Sequence, residues 1–158
     1  MKKKNFNVMC FRRAVVVSEH LDITLTRFPS HQKYTLRKYI EESMYACIHH
    51  LADLINIKKP EYREKLADKA ISELDHIKNY LFLAYYKGYL GKHQMTSSEK
   101  KYIEHMRKES LSRREMTDKE IMKEISFRRK KSTDEYMKRT KEIDSLINSI
   151  TEYIKRQK

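Results

Sequence analysis

Turn-forming residues are scarce in this 158-residue chain, which contains only two Gly and two Pro and no Trp. β-Sandwiches and mixed α/β folds need many tight turns, which Gly and Pro commonly supply. Their scarcity therefore argues against both fold classes. The chain is instead rich in Lys, Glu, Leu, Ile and Met, which favour helices. Composition predicts an all-α protein built from a few long helices.

Long apolar runs are also missing, and so is any cysteine framework. The longest run near the start, residues 14–17, is far below the roughly 20 residues that cross a bilayer. Arg12 and Arg13 interrupt any signal-peptide-like apolar stretch after the initial lysines. Cys10 and Cys47 form no CxxC motif, and Cys47 falls on an apolar helical stripe. We expect a cytoplasmic protein with no membrane contact and a buried Cys47.

Four segments carry apolar residues at helical spacing, and Pro29 ends the first of them. Gly88 and Gly91 follow the third, where a left-handed cap is needed. We therefore expect an antiparallel up-and-down four-helix bundle over residues 14–158, preceded by a basic arm at residues 1–13. Its helices are predicted at 14–28, at 30–57, from Pro60 to the two glycines, and at 133–157.

Residues 92–132 differ from the rest in composition, with thirteen Lys or Arg, seven Asp or Glu, and few apolar residues. Ser or Thr followed by acids predicts two helices here, at about 97–110 and 117–131. We interpret the segment as a basic helical insertion that projects from the bundle. In an alternative arrangement, 97–110 is the fourth bundle helix and the C-terminal helix is extra.

No constellation of residues predicts catalysis or a cofactor. Glu73 and His76 have the Glu-x-x-His spacing of di-iron bundles, but the second copy that such a site needs is absent. There is no HExxH, no phosphate-binding GxxxxGK[ST] loop and no GxSxG elbow. We expect a protein with no catalytic residues, no metal and no cofactor, although a metal-dependent bundle enzyme stays open.

Positive charge is the feature that suggests a function: 35 Lys and Arg against 22 Asp and Glu give a net charge of +13. Such an excess predicts binding to a polyanion, largely independent of base sequence. Lys33 and Arg37 are four residues apart and are expected on one face of the second helix. Tyr34 and Tyr39 interleave with them, for stacking on bases or for packing. The candidate contacts are Arg12, Arg13, Arg27, Lys33, Arg37, Lys38, Arg128, Arg129, Lys130 and Lys131.

The turn at residues 27–36, with Phe28, Pro29, Tyr34 and Leu36, resembles the first turn of the accessory variability determinant (Avd) proteins of diversity-generating retroelements. These proteins are grouped with the four-helix-bundle proteins encoded in intervening sequences of 23S ribosomal RNA genes. Residues 84–90 and 142–147 are similar to the family too. The resemblance covers about residues 14–91 and 133–157, and it makes those four residues a structural turn.

The resemblance implies a homopentameric barrel, bacterial or phage-encoded, that binds a reverse transcriptase and nucleic acid, either RNA or DNA. Such a protein has no catalytic residues; it supports mutagenic cDNA synthesis from the template RNA and retrohoming. The chain departs from the family in its long insertion and in residues 150–153, where a Gly-Gly-Trp-like stretch is common. The alternative is an intervening-sequence-type bundle of unassigned role that binds nucleic acid only non-specifically.

Overall fold

A computed structural model describes residues 8–90 and 130–157, together with positions 101, 104, 105, 108, 119, 120 and 123. Within these residues the secondary structure is helical and includes no strand, which confirms the all-α prediction. No helix among them is long and apolar enough to span a membrane. The long helices are α1 (Met9–Leu25), α2 (Leu36–Asn56), α3 (Arg63–Lys87) and α4 (Lys130–Arg156).

The four helices pack in a ring, in which α1 contacts α2, α2 contacts α3, α3 contacts α4, and α4 returns to α1. Thr24 bonds to Glu135 and His20 to Glu142, so α1 and α4 run in opposite directions. Helices α3 and α4 are also antiparallel, through the pairs Lys78–Asp144 and Tyr85–Thr133. The ends of α1 and α3 therefore lie at the same end of the bundle as the starts of α2 and α4.

Each helix buries one apolar stripe in a shared core. Leu21, Ile40, Leu74 and Ile143, one from each helix, are at most 2% exposed. Burying a side chain of this size stabilises the fold by about 1.5–3 kcal/mol relative to leaving it in water. Helix α4 joins this core through Leu146 and Ile150 as well. The C-terminal helix is thus a bundle helix, and the arrangement that made it an extra element is wrong.

Helix α1 begins at Met9, five residues before the predicted start. Cys10 and Phe11 are buried because they continue the inward stripe that runs through Ala14 and Val17. Residues 9–13 of the predicted basic arm are therefore part of the bundle, and residues 1–7 lie outside the described residues. Burial raises the pKa of the Cys10 thiol, and it raises the pKa of Cys47 to about 12, in line with the buried position predicted for Cys47.

Helix α2 begins at Leu36, six residues after the predicted start at Ser30. A 3-10 helix, Ser30–Gln32, follows Pro29, and its hydrogen bonds reach back three residues instead of four. Thr35 then adopts a non-helical conformation (φ −122°, ψ −108°) that separates this turn from α2. The corresponding connection before α3 is also a 3-10 helix, Pro60–Tyr62, with Pro60 in its first turn.

Helix α3 ends at a left-handed glycine, as predicted. Gly88 has φ 82° and ψ 20°, which residues with a Cβ adopt only at a cost. The amide of Tyr89 donates to the carbonyl of Ala84 at 2.8 Å, and that of Gly88 donates to Tyr85 at 3.1 Å. This is the Schellman pattern that satisfies terminal carbonyls. Gly91 lies outside the described residues.

Helix α4 begins at Lys130, so residues 130–132 belong to the bundle instead of the predicted insertion. Ser132 and Thr133 are buried against the neighbouring helices, which explains the earlier start. The seven isolated positions described between 91 and 129 are all helical. The remaining residues of the predicted insertion lie outside the part of the chain that the structure describes.

Replacing Gly88 by Ala should lower the free energy of unfolding by about 1–2 kcal/mol, because the Cβ is unfavourable at positive φ. The exposed mid-helix substitution Ser72→Ala is the matched control and should change the free energy by no more than about 0.5 kcal/mol. Chemical denaturation followed by circular dichroism measures both. Equal stabilities of G88A and the wild type would show that the cap does not need a glycine.

Candidate nucleic-acid interface

Three segments meet where α1 and α3 end and where α2 and α4 begin. We call this the turn end and define it by residues 27–35, 87–90 and 130–134. The Phe28 ring is buried and lies 6.0 Å from the Tyr89 ring, and His31 meets Tyr89 edge-on at 6.0 Å. Tyr85 and Thr133 share a buried hydrogen bond of 2.7 Å just below. These contacts hold the segment with Arg27 and Lys33 beside the start of α4.

The turn end is strongly positive. Four lysines here are exposed, and no ion pair links them to any described carboxylate; they are Lys33, Lys87, Lys130 and Lys131. Asp134 is the one exposed carboxylate in the three segments. We call these four lysines the basic end. Their charges are available to a phosphate backbone because no described protein carboxylate pairs with them.

Arg27, which is also among the predicted nucleic-acid contacts, forms an ion pair inside the bundle instead. Its Nη1 lies 3.3 Å from Oε2 of Glu135, and both side chains are largely buried. Glu135 also accepts hydrogen bonds from Thr24 at 2.5 Å and from Arg139 Nε at 3.0 Å. Replacing Arg27 would therefore disturb the packing of α4 against α1 as well as any contact of Arg27 with nucleic acid.

Arg139 is the centre of this interior ion cluster. Its side chain is 10% exposed, and its Nη1 donates to Glu142 at 2.9 Å, in addition to the bond to Glu135. His20 contacts Glu142 through Nδ1 at 2.9 Å. Burial by itself would raise the pKa of Glu135, but the bonds from Thr24 and Arg139 and the nearby positive charges outweigh it, so the pKa is lowered.

Arg37 and Lys38 are on α2 and pair with acids one turn later. Arg37 Nε lies 2.9 Å from Glu41, and Lys38 Nζ lies 3.8 Å from Glu42. The prediction that Lys33 and Arg37 share a helical face is wrong, because Lys33 precedes the break at Thr35 and is not in α2. Arg37 and Lys38 attract a phosphate more weakly than the unpaired lysines do, because the paired carboxylates partly neutralise their charge.

Tyr34 is the most exposed large hydrophobic side chain in the described part of the chain, with 75% of its surface accessible. The Lys33 ammonium lies 5.6 Å from its ring centroid, so a flat aromatic face and a cation stand together at the turn end. Of the residues predicted to form the structural turn, Phe28 and Leu36 are buried and Tyr34 is exposed. Tyr39, in contrast, lies 6.1 Å from the ring of Tyr80 on α3.

Arg12 and Arg13 are exposed but lie apart from the basic end. They precede Leu25, the last residue of α1, by thirteen and twelve residues, which corresponds to about 18–20 Å along the helix axis. Arg128 and Arg129 lie outside the described residues, directly before Lys130 in the sequence. The predicted contacts thus divide into separate groups instead of forming a single surface.

Sequence reasoning missed Lys87, Lys138 and Lys141. Lys87 is the last residue of α3. The sequence predicts a glycine cap at residue 88, and a lysine directly before that cap could have been placed at this end of the bundle. Lys138 and Lys141 stand on either side of Arg139 in the sequence of α4, and Arg139 turns inward while they stay exposed. Their proximity to Arg12 and Arg13 depends on the α1–α4 packing, which no local pattern reveals.

The described residues include no group of three or more His, Cys, Asp or Glu side chains placed to hold a metal ion. Glu73 and His76 approach each other at 3.8 Å on the surface of α3, and more than half of the His76 side chain is exposed. This is the geometry of a solvated helical pair at positions i and i+3.

No protein-family model, curated protein or solved structure matches this chain. The resemblance to the Avd family therefore stays a prediction, and the candidate interface rests on the geometry above.

The ion cluster predicts acid sensitivity. Glu135 has a folded-state pKa below its ordinary 4.5, so its ionised form stabilises the fold above that pH and loses this effect as the pH falls through the folded-state value. Glu135→Gln should cost about 1–3 kcal/mol of unfolding free energy at pH 7. The difference from wild type should shrink in acid. Urea denaturation at several pH values measures it, with the exposed Glu42→Gln as control; a difference that is constant with pH would contradict the assignment.

Proposed function

We propose that this protein is a non-enzymatic accessory protein of a diversity-generating retroelement. In this role it binds template RNA or cDNA through the basic end and assists the reverse transcriptase in mutagenic cDNA synthesis and retrohoming. The observation that carries the nucleic-acid part is the group of four exposed, unpaired lysines beside the 75% exposed Tyr34 ring. The retroelement part is supported by the resemblance of residues 27–36, 84–90 and 142–147.

The chemistry of the basic end suits single-stranded nucleic acid. Lysines that track phosphates supply affinity without reading base sequence. An exposed aromatic ring adds stacking, which tolerates any base and is worth about 1–3 kcal/mol per base. Tyr34 and Lys33 provide this combination on adjacent residues. Phosphate contacts and stacking both tolerate any base, so they account for the predicted binding that does not depend on base sequence.

The proposed assembly is a homopentameric barrel of antiparallel up-and-down four-helix subunits. The ring of helix contacts and the short α1–α2 and α2–α3 connections support the up-and-down connectivity. Exposed apolar side chains on several helices, among them Tyr45, Leu83 and Met137, are compatible with subunit contacts. In a closed ring, five copies of the basic end would repeat around the barrel and multiply the contacts to one nucleic-acid strand.

The quadruple variant Lys33→Ala, Lys87→Ala, Lys130→Ala and Lys131→Ala should weaken binding to single-stranded RNA by about tenfold or more at physiological salt. The slope of log affinity against log salt should fall by about 3, since each lost phosphate contact removes about 0.7–0.9. Fluorescence anisotropy with a labelled RNA measures both quantities.

The matched control removes four lysines elsewhere: Lys58, Lys59, Lys65 and Lys69, at the opposite end of the bundle and on α3. It makes the same change in net charge. An equal loss of affinity in both variants would therefore show that RNA is attracted by the overall charge and not by the basic end, which would contradict the proposed interface. Helicity should be unchanged in both because all eight side chains are exposed.

Affinity capture of the tagged chain from its native cells at moderate salt tests the retroelement role. We expect a reverse transcriptase and one discrete structured RNA, identified by mass spectrometry and sequencing. The quadruple basic-end variant should retain less of that RNA than the control variant. Bulk RNA without a polymerase would contradict the proposal and favour the intervening-sequence-type alternative.

A further inference from the structure

An open groove of about 600 Å³ lies between α1 and α4, on the side of the bundle where α1 faces solvent. Its floor is formed by the buried side chains of Val17 and Leu146. Its wall includes Met9, 53% exposed, and Val16, 46% exposed. Apolar side chains with this exposure, placed together over an apolar floor, are typical of a surface that a partner covers.

Exposed apolar side chains continue along α1 beyond the residues that line the groove, and they form a regular row. Met9, Val16 and Ile23 are each seven residues apart, and Ile23 is 60% exposed. A spacing of seven keeps residues on one face of a helix and is the repeat by which one helix packs along another. The row is about 21 Å long, which corresponds to four turns of a partner helix. The shape and period of the surface therefore fit an α-helix.

Four cations flank the groove, and together they specify the charge of its occupant. Arg12 and Arg13 lie on the α1 side, and Lys138 and Lys141 on the α4 side. All four side chains are exposed, and none is ion-paired with a carboxylate in the described part of the chain. A helix with acidic residues on both sides of its apolar row would pair with both groups.

The groove does not supply its own counter-charge. Glu142 is the one carboxylate among the described residues that line it, and it is already bound by His20 and by Arg139, each at 2.9 Å. Glu19 is exposed on α1 but does not line the groove. The positive charge of the rim is therefore left for a ligand.

We infer that the α1–α4 groove binds an acidic amphipathic helix of another protein. The apolar row of that helix covers Met9, Val16 and Ile23, and its flanking carboxylates meet Arg12 and Arg13 of α1 and Lys138 and Lys141 of α4. This is the helix-in-groove mode of recognition, in which residues at positions i, i+3, i+4 and i+7 anchor the ligand. The inference is independent of the nucleic-acid interface, because the two surfaces share no lysine or arginine.

Other occupants fit the groove less well. A phosphate backbone would pair with the cations but would leave the apolar row in contact with polar groups. Residues 1–7 contain Lys2, Lys3 and Lys4 and no acid, so they would add positive charge to a positive rim. The same groove of a second copy would bring a second set of four cations to the contact.

The test uses fluorescein-labelled helical peptides, about four to six turns long, that carry a heptad row of Leu, Ile or Met flanked by Glu. Matched peptides replace every Glu by Lys or every apolar row residue by Ser. We expect the acidic apolar peptides to bind the full chain about tenfold or more tightly than either matched set, measured by anisotropy at about 0.15 M salt.

Val16→Asp should weaken the binding of the acidic peptides by about tenfold or more, and so should the combined Ala variant of the four rim cations. Tyr62→Asp, which changes an exposed residue of the 3-10 helix before α3, and the four-lysine control above should stay within about twofold of wild type. Sedimentation of each variant reports its mass.

Four results would overturn the inference. The first is equal binding of the acidic peptides by wild type and V16D, and the second is no binding of any acidic peptide up to about 1 mM. A change in oligomer mass in V16D would assign the groove to a second copy. A loss of RNA affinity in the rim variant as large as that in the basic-end variant would assign it to nucleic acid.

Discussion

Arg139 is buried between Glu135 and Glu142 of its own helix, and those carboxylates also bind Thr24 and His20 of α1 and Arg27 of the turn that follows it. A buried guanidinium is tolerated only when its charge and its hydrogen bonds are satisfied, so this cluster needs α1 and α4 side by side. Helix α4 contributes few large apolar side chains to the core and is far from α1 in the chain. The ion cluster therefore fixes how α4 aligns along α1, which hydrophobic burial alone would fix less precisely. Both candidate surfaces depend on that alignment.

Ion pairing within the protein, in this cluster and along α2, also determines which cations are available to a partner. Arg27 and Arg139 are used inside the bundle, and Arg37 and Lys38 pair with acids on α2. The unpaired cations of the two candidate surfaces lie in different places: lysines at the turn end, and two arginines and two lysines beside the α1–α4 groove. A net charge of +13 is thus a poor description of the surface, because several of the positive charges are already paired with carboxylates of the protein.

The two surfaces differ in what they present beside their charge. The basic end pairs its lysines with an exposed tyrosine ring, a combination suited to phosphates and bases. The groove pairs its cations with aliphatic side chains at heptad spacing, a combination suited to another helix. An accessory protein with one surface of each kind could hold a nucleic acid and a protein partner at the same time, since the two lie on different parts of the bundle.

Sequence by itself determined the helices, their apolar faces and the left-handed end of α3, because helical periodicity and the glycine requirement at positive φ are local properties of the chain. It failed at the start of α2, where 3-10 hydrogen bonds and the break at Thr35 compete with a continuous helix. Only the tertiary structure decided that Lys130 joins Lys33 at one end, that Arg27 turns inward to Glu135, and that Lys138 faces the groove beside Arg12. The environment of a charge is set by neighbours that can be more than a hundred residues away, and packing alone brings them together.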